Sequence, residues 1–338
     1  MSTNQPKPRF FTGIQATGTL HLGHYLGVIR HILILQEEYE VIIMIADLHA
    51  LTVPQKGMDY QEKAKEIAAL LYACGLKEDC KIFIQSQIKE HLELAWLLSP
   101  LVTVSELNKM IQYKEKKGKH ETGNLALFSY PVLMAADIFL YDADLIIVGQ
   151  DQQQHYELAT DIFRKFNNFY WASNKQDVVL LKLPIFNEFS QLGSKIMSLQ
   201  NPEKKMSKSG SEKDYLALLD KPKDIKDKIK KAVTDSEKKI YYDPENKDKL
   251  GTSNLLLIYA LLKKLTIKEA EKEASSLDHR RFKEKLAELV CDKLQTIQEK
   301  FPIYQAKIAD LLEKNRRYCQ KLAQQKLKKI KKVMKLIN

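Results

Sequence analysis

The chain has 338 residues, of which 44% are hydrophobic and 29% charged, and its formal net charge is +11 at pH 7. The length exceeds that of one compact domain and the composition is ordinary for a globular protein, which excludes disordered and fibrous classes. No apolar run reaches the roughly 18 residues of a membrane span, and the first residues, MSTNQPKPRF, lack the apolar centre of a secretory signal. We therefore expect a cytoplasmic protein. Its four cysteines have no CxxC spacing, so neither a zinc site nor a disulfide framework is predicted.

The first half of the chain alternates between strand and helix patterns. The short apolar runs at 9–14, 41–46, 81–87 and 145–150 predict four buried strands. Helical spacing of apolar residues follows the first, second and fourth of them; the second helix has a capping pair at Asp59 and Glu62 and a stop at Gly75. Strands that alternate with helices predict right-handed crossovers and a parallel sheet.

From about residue 211 the pattern becomes helical. Segments 213–232, 253–265, 267–275, 280–299 and 303–334 have helical periodicity and few β-branched runs. The joining stretch at 201–214, NPEKKMSKSGSEKD, is too rich in Ser, Lys, Gly and Pro for a regular element. We therefore predict an α/β domain at 1–210, with a helical insertion at about 100–140, and an all-helical domain at 211–338.

The last predicted helix carries most of the net positive charge. Residues 314–335 contain ten Lys and Arg residues and no acidic residue. Such a segment is typical of a surface that contacts a polyanion, most simply nucleic acid. A solvated helix face is the alternative interpretation.

Small and polar residues follow the first predicted strand in the segment QATGTLHLGH. Ligands of open parallel sheets bind beyond the carboxyl ends of the strands, which is where this segment begins. Gly18 allows a tight turn, and Thr17 or Thr19 can cap the following helix. His21 and His24 are three residues apart and so share one face of the first turn of that helix. The N-terminus of a helix favours a bound phosphate. A metal-binding pair and two surface histidines are the alternatives.

A second segment whose residues could take part in a reaction is KMSKS, at 205–209. Lys205 and Lys208 are flexible point charges, and the serines favour a turn over a helix. A loop of this kind can close over a triphosphate and neutralise its leaving end. The alternative is a basic linker between domains.

Together the two segments resemble the paired signatures of class I aminoacyl-tRNA synthetases. The surrounding sequence resembles the bacterial-type tryptophanyl-tRNA synthetase family from about residue 11 to at least 256, and in general plan to the end. The resemblance is carried by the segments GIQATGTLHLGHYLG, YPVLMAADIFLY, VGQDQQQHYELA, KIMSLQNPEKKMSKS, AVTDSE and SNLL.

That resemblance implies an enzyme and its partners. Members of the family join L-tryptophan to ATP with release of pyrophosphate, and then transfer the activated tryptophan to tRNA(Trp). It implies a Rossmann-type catalytic domain at 1–210 and an α-helical anticodon-binding domain at 211–338. It also implies ATP with Mg²⁺, a homodimer and no membrane partner.

The family's functional positions can be assigned to residues of this chain. Its catalytic positions fall on His21, His24, Lys116, Lys205 and Lys208. Its ATP-binding positions fall on Gln15, Thr17, Gly23, His24, Gly149, Asp151, Ile196, Met197, Lys205, Met206, Ser207 and Lys208. Its tryptophan-binding positions fall on Phe11, Tyr130, Met134, Asp137, Val148 and Gln152. The resemblance implies that Asp137 accepts the indole N–H and that Tyr130 and Gln152 hold the ammonium group. No metal ligands are implied.

The residue types support part of this assignment. Asp137 interrupts an apolar run, and a buried carboxylate needs a donor partner, which an indole N–H can be. Pairing of Asp137 within the fold is the alternative. The chain departs from the family at Ala16, where proline is common, at His24, where Asn is frequent, and at Gln150, where Glu is usual. His49, after the second strand, either lines the cleft or packs elsewhere.

Three other functions compete with this assignment. The first is a tyrosyl-tRNA synthetase-like enzyme, the second an HxGH nucleotidylyltransferase, and the third a catalytically silent RNA-binding regulator. Aromatic and Arg side chains on which splayed anticodon bases can stack are present in the helical part. They are Tyr241, Tyr242, Tyr259, Arg280, Arg281, Arg316 and Arg317. The apolar segments at 72–110, with Trp96, are either a dimer contact or a buried helix.

Overall fold

The computed structural model describes residues 6–110, 124–148, 152–171, 181–188, 195–208, 210–237 and 239–338. Three residues assigned to the site, Lys116, Gly149 and Asp151, lie outside these ranges, as does Gln150. The backbone of Val148 is described but its side chain is not.

A five-stranded parallel sheet forms the centre of the first half. The strands are β1 Arg9–Gln15, β2 Glu40–Ala46, β3 Lys81–Ile84, β4 Leu145–Val148 and β5 Ile185–Glu188. Their order is β3-β2-β1-β4-β5, and every neighbouring pair is parallel. The chain therefore changes winding direction between β1 and β4, which creates the crevice where such folds bind ligands. The four strands expected from the sequence are present, and β5 is additional.

Helices cover both faces of this sheet and continue beyond it. They are α1 Leu22–His24, α2 Arg30–Leu35, α3 Asp47–Ala50, α4 Tyr60–Ala73, α5 Glu90–Leu98, α6 Val104–Asn108, α7 Leu125–Phe139, α8 Gln153–Trp171, α9 Pro222–Lys230, α10 Leu250–Lys263, α11 Ile267–Ala274 and α12 His279–Val333. A π-helical segment, Tyr25–Ile29, joins α1 to α2. The α/β class with a helical C-terminal part is confirmed.

Some helix boundaries differ from those expected. Asp59 caps α4 as predicted, and Gly75 has a φ of +118° just after it. The helix predicted at 213–232 begins only at Pro222. Proline is favoured in the first turn of a helix, because the N–H group that it lacks would have no partner within the helix there. The predicted helices at 280–299 and 303–334 are one helix, α12, which runs through Pro302. Proline removes one internal hydrogen bond, and packing along the rest of the helix keeps it continuous.

The core has two apolar clusters, one on each face of the sheet. Phe10 belongs to the first and Phe11 to the second, because successive side chains of a strand point to opposite faces. The first cluster continues into α10 and α12 through Leu256 and Leu312, and the second contains Cys319 and Leu327 of α12. The C-terminal helices are therefore packed against the sheet domain.

The second half of α12 crosses the amino ends of the strands. The Asn315 side chain donates a hydrogen bond of 3.0 Å to the hydroxyl of Tyr72 in α4. Tyr318 bonds to Glu40, at the start of β2, and its ring lies 5.4 Å from Nζ of Lys81, at the start of β3. This edge of the sheet is therefore covered, which leaves the carboxyl edge for a ligand.

Within the described ranges no single helix is both long and apolar enough to cross a bilayer. Only the bent pair Lys247–Lys263 and Ile267–Ala274 meets the length and composition requirement together.

Candidate active site

A cavity of about 720 Å³ opens at the carboxyl ends of β1, β2 and β4. It is lined by residues from both segments that the sequence singled out. The assigned site residues that line it are Phe11, Gln15, Thr17, His21, His24, Tyr130, Met134, Asp137, Gln152, Lys205, Met206, Ser207 and Lys208. Folding thus brings His21 and Lys208, far apart in sequence, to one cavity.

The turn after β1 is shaped by Gly18 and by the two histidines. Gly18 has a φ of +80°, a conformation that favours glycine. A helix begins at Leu22 with His21, not Thr17 or Thr19, at its N-cap, because the backbone of His21 is extended and its N–H donates to Nδ1 of His24 over 3.3 Å. The two imidazole rings lie 3.8 Å apart between centroids. They form one continuous surface on the cavity wall.

Both histidines are held in the neutral form. Burial, then His24 and then Lys205 and Lys208 lower the pKa of His21 to about 3. Burial, then Lys205 and Lys208 lower the pKa of His24 to about 4. Nδ1 of His21 is buried and lacks a hydrogen-bond partner among the described residues. An incoming anionic group would relieve both the electrostatic repulsion and this missing bond.

The pKa values of His21 and His24 predict a titration that NMR can follow. With pKa values of about 3 and 4, both rings are expected to stay neutral between pH 8 and pH 5, whereas a free imidazole protonates near 6.5. The measurement is a pH series of ¹³C-labelled histidine spectra, with the two signals assigned through His21→Gln and His24→Gln. An inflection near pH 6.5 for either signal would contradict the described electrostatic environment.

Hydrogen bonds to the backbone of neighbouring segments hold the KMSKS segment in place. Met206 N–H donates to the carbonyl of Ile196 over 2.8 Å, and Met197 and Lys205 form an antiparallel bridge. The side chain of Asn254 clamps Met197, accepting from its N–H and donating to its carbonyl, each over 2.9 Å. The SNLL segment, which includes Asn254, therefore positions the lysine loop.

Lys208 lies directly over the turn after β1. A β-carbon on Gly18 would be 2.1 Å from Nζ of Lys208 and 2.2 Å from its Cδ, so a side chain at position 18 would displace Lys208 from this place. Burial and the charge of Lys63 lower the pKa of Lys208. The charged ammonium is therefore unfavourably placed in the free protein, and a bound polyphosphate would stabilise it.

Asp137, in α7, is buried and belongs to the residues assigned to tryptophan binding. Its Oδ1 accepts from Nδ1 of His91 over 2.6 Å and from Nε2 of Gln85 over 2.9 Å, and its Oδ2 accepts from Nε2 of His49 over 2.7 Å. Burial raises its pKa, but the bonds from His49 and His91 outweigh this and leave the pKa below its ordinary value. Asp137 therefore pairs within the fold, as the alternative interpretation proposed, and still lines the cavity.

Tyr130 and Gln152 are joined through a histidine that the sequence analysis did not single out. The hydroxyl of Tyr130 lies 2.7 Å from Nε2 of His155, and Nδ1 of His155 lies 2.8 Å from Oε1 of Gln152. Because the Gln152 carbonyl oxygen only accepts, Nδ1 of His155 carries the proton and Tyr130 donates to Nε2. The Oε1 of Gln152 and the hydroxyl oxygen of Tyr130, which can each accept a second hydrogen bond, are thereby oriented.

A few assigned residues are placed differently from the rest. Gly23, Ile196 and Met197 are described but are not among the residues that line the cavity. A β-carbon at Gly23 would meet the His21 ring at 3.0 Å and Met206 at 3.4 Å, so its lack of a side chain makes room for these neighbours. Ile196 is buried and supports the lysine loop through its carbonyl.

Sequence reasoning missed three buried residues, Gln85, His91 and His155. His49, left open between a cleft and a packed position, lines the cavity and bonds Asp137. The only signal for Gln85 was its position after the third strand, and nothing in the local pattern marks His91. Within the described ranges no group of three or more His, Cys, Asp or Glu side chains is arranged to hold a metal ion.

Comparison with known proteins identifies the class of enzyme. The family described as tRNA synthetases class I (W and Y) matches residues 3–300. The chain belongs to this family. The crevice between β1 and β4, which the histidine turn and the lysine loop both line, lies where open parallel sheets bind their ligands.

Several relatives that match almost the whole chain are tryptophan–tRNA ligases. The tryptophan–tRNA ligase of Oceanobacillus iheyensis is 42% identical over 330 residues, which cover 96% of this chain and 98% of that protein. The crystal structure of tryptophanyl-tRNA synthetase from Mycoplasma pneumoniae has a TM-score of 0.85 at 31% identity and covers 97% of each chain. That of the Campylobacter jejuni enzyme complexed with ADP and tryptophan has a TM-score of 0.80 at 30% identity, covering 96% of this chain and 98% of that one. The resemblance drawn from the motifs is confirmed.

Proposed function

We propose that the chain is a tryptophan–tRNA ligase that activates L-tryptophan with MgATP and transfers it to tRNA(Trp) in the cytoplasm, where protein synthesis uses that product. One observation carries the proposal. A single cavity is lined by a histidine pair and two lysines suited to a triphosphate and by a buried carboxylate suited to an indole N–H. Near-full-length identity of about 40% to tryptophan–tRNA ligases supports the same substrate.

The nucleotide half of the reaction is assigned to the histidine turn and the lysine loop. His21 and His24 each offer one N–H when neutral, and Lys205 and Lys208 supply the charges that pyrophosphate needs as it leaves. Among the described lining residues Asp137 is the only acid, so the phosphates meet no opposing carboxylate there. Mg²⁺ enters as part of the MgATP substrate, held by phosphates and water, which matches the preference of this ion.

The amino-acid half is assigned to Phe11, Met134 and Asp137, with Tyr130 and Gln152 at the ammonium group. Phe11 and Met134 belong to the apolar cluster around Asp137 and give the indole ring an apolar wall. A carboxylate acceptor that faces an apolar pocket disfavours side chains without a donor, because that acceptor would be left unsatisfied. This argument favours tryptophan over phenylalanine. Tyrosine has an O–H donor, and the identity to tryptophan–tRNA ligases favours tryptophan over it.

Residues 211–338 are proposed to bind the tRNA, with residues 1–210 as the catalytic domain. Exposed cations along α12 support this assignment, because positions three, four or seven residues apart share a helix face. They are Lys314, Arg317, Lys321, Lys328 and Lys332. Such a row can neutralise a run of phosphates.

A homodimer is also proposed. Leu92 and Trp96 lie four residues apart on α5 and expose 53% and 77% of their surfaces. Adjacent apolar side chains with this exposure favour a protein contact, and one tRNA could then bridge two subunits.

Pyrophosphate exchange tests the activity directly. Purified protein with MgATP and labelled pyrophosphate is expected to incorporate label into ATP when tryptophan is added, and far less when tyrosine or phenylalanine is added. The label in ATP is counted at several tryptophan concentrations, and charging of tRNA is measured in a second assay. Exchange that is independent of tryptophan, or equal with tyrosine, would refute the assignment.

A further inference from the structure

Behind Asp137, on the side away from the cavity, lies a chain of three hydrogen-bonded side chains. The hydroxyl of Tyr141 is 2.8 Å from Nε2 of His91, and Nδ1 of His91 is 2.6 Å from Oδ1 of Asp137. His91 is 0% exposed and Tyr141 is 1% exposed. Neither is among the residues that line the cavity, whereas Asp137 is.

The direction of the protons along this chain is determined by chemistry. An ionised carboxylate only accepts, so Nδ1 of His91 must carry its proton. Burial raises the pKa of Tyr141 well above its ordinary value, so the hydroxyl stays protonated and donates a hydrogen bond to Nε2. Tyr141 therefore selects the one tautomer of His91 that can donate to Asp137, as an outer partner does for a metal-bound histidine.

Aromatic packing keeps these rings in place. The ring of Phe83 lies 5.7 Å from His91 and 5.4 Å from Tyr141, and Phe11 stacks on Tyr141 at 5.2 Å. Because Phe11 also lines the cavity, the same aromatic group forms the pocket wall and supports the hydrogen-bonded chain. A shift of His91 would disturb the pocket only through these contacts and through Asp137.

The acceptors of Asp137 are almost fully used inside the fold. A carboxylate has about four acceptor positions. His91 bonds to Oδ1, His49 to Oδ2, and the Gln85 amide to both oxygens over 2.9 and 3.0 Å. The Gln85 amide nitrogen is one donor shared between the two oxygens, so giving up one of its two contacts leaves about one acceptor position for a ligand. Since Asp137 faces the cavity, that position is available to an N–H there.

We propose that His91, with its tautomer selected by Tyr141, is a positioning residue for tryptophan specificity: it holds the Asp137 carboxylate so that the remaining acceptor meets the indole N–H. The proposal rests on the proposed function, which it deepens by naming what supports the specificity contact. His91 does not touch the substrate. In this role its effect passes through the bond between Asp137 and the indole N–H, whereas a packing effect through the aromatic contacts would act on any substrate.

That difference gives a test with two substrates. The probe is β-(benzothiophen-3-yl)alanine, in which sulfur replaces the ring N–H of tryptophan. His91→Phe is expected to lower kcat/KM for tryptophan in pyrophosphate exchange by about 10- to 100-fold, the range for loss of a charge-assisted hydrogen bond or its outer partner. For the sulfur analogue the expected change is below about threefold, because this substrate lacks the N–H that the carboxylate accepts.

Three further variants separate positioning from folding. His91→Asn places an amide N–H where Nδ1 of His91 was, and is expected to restore most of the preference for tryptophan over the analogue. Tyr141→Phe should lower that preference less than His91→Phe does. Phe166→Leu is the packing control, because Phe166 is buried in the same apolar cluster but does not line the cavity: it is expected to lower the melting temperature and leave the preference unchanged.

The outcomes distinguish failure of this inference from failure of the proposed function. Equal losses for both substrates in His91→Phe, or loss of the preference in Phe166→Leu, would overturn the positioning role. If His91→Phe does not fold, an unchanged preference in Tyr141→Phe overturns it. Wild-type protein that fails to exchange label with tryptophan would refute the proposed function itself.

Discussion

Replacement of Lys208 by alanine is expected to lower kcat for pyrophosphate exchange by about 10²- to 10³-fold, the typical cost of removing one group that stabilises transition-state charge. Lys208 lies over Gly18 beside the histidine pair, where the leaving pyrophosphate must be neutralised in the proposed reaction. The measurement is the exchange rate at saturating tryptophan and MgATP. The binding of tryptophan alone, measured by calorimetry, is expected to stay unchanged.

Lys204→Ala is the matched control for this prediction. Lys204 belongs to the same loop and is exposed, but it does not line the cavity. Its removal is expected to leave kcat within about twofold, as for an ordinary surface substitution. Lys208→Ala should not lower the free energy of unfolding, because burial and Lys63 already disfavour the charged ammonium in the free protein. A similar loss of activity in both variants would contradict the assigned role.

Replacement of Asp137 by asparagine is expected to lower kcat/KM for tryptophan by about 10²-fold, from loss of a charge-assisted bond and an unsatisfied donor. The amide matches the carboxylate in shape but turns an N–H₂ group toward one of the donors His91, Gln85, His49 or the indole N–H. The KM for ATP is expected to change by less than about threefold, because Asp137 has no contact with the lysine loop. Initial rates of exchange over a grid of both substrates separate the two KM values.

Asp142→Asn is the control for the Asp137 variant. Asp142 has a φ of +47°, a conformation that asparagine tolerates well. It follows α7 and pairs with Lys326 of α12. Both KM values are expected to remain as in the wild type. If Asp137→Asn raised the two KM values by the same factor, the carboxylate would be a structural element of the cavity and not a contact to the indole ring.

The strands were predictable from sequence to the extent that both of their faces are buried. The runs at 41–46 and 145–150 belong to central strands with helices on each side, so they are apolar throughout, and β2 and β4 lie there. β5 has four residues at the sheet edge, and Ile185 exposes 72% of its surface. It lacks the apolar run that marks a buried strand.

Helix continuity was less predictable. The local rule that a proline ends a helix applies to an isolated segment. In α12, residues on both sides of Pro302 are buried against other elements: Leu294 and Ile297 before it, and Ile308 and Leu312 after it. Apolar burial of about 1.5–3 kcal/mol for each such side chain offsets the cost of about 3 kcal/mol for an internal proline.

The residues proposed to be catalytic were recognisable in the sequence because their two segments together resemble a known pair of signatures. Taken singly, the histidine pair and the lysine loop each left a structural alternative open. The support of these residues was not recognisable. Asn254, which clamps the lysine loop, is 57 residues from its partner Met197, and His91 is 46 residues from Asp137.

Local sequence patterns predicted the parallel sheet and the helical C-terminal part, because apolar periodicity and turn chemistry act over a few residues. The resemblance to a known family assigned the residues of the candidate site. Tertiary packing decided which groups meet. The side-chain partners of Asp137, the neutral state of His21 and His24, and the position of Lys208 over Gly18 depend on burial and on charges from distant parts of the chain. Burial and through-space electrostatics are properties of the folded molecule, and no short segment contains them.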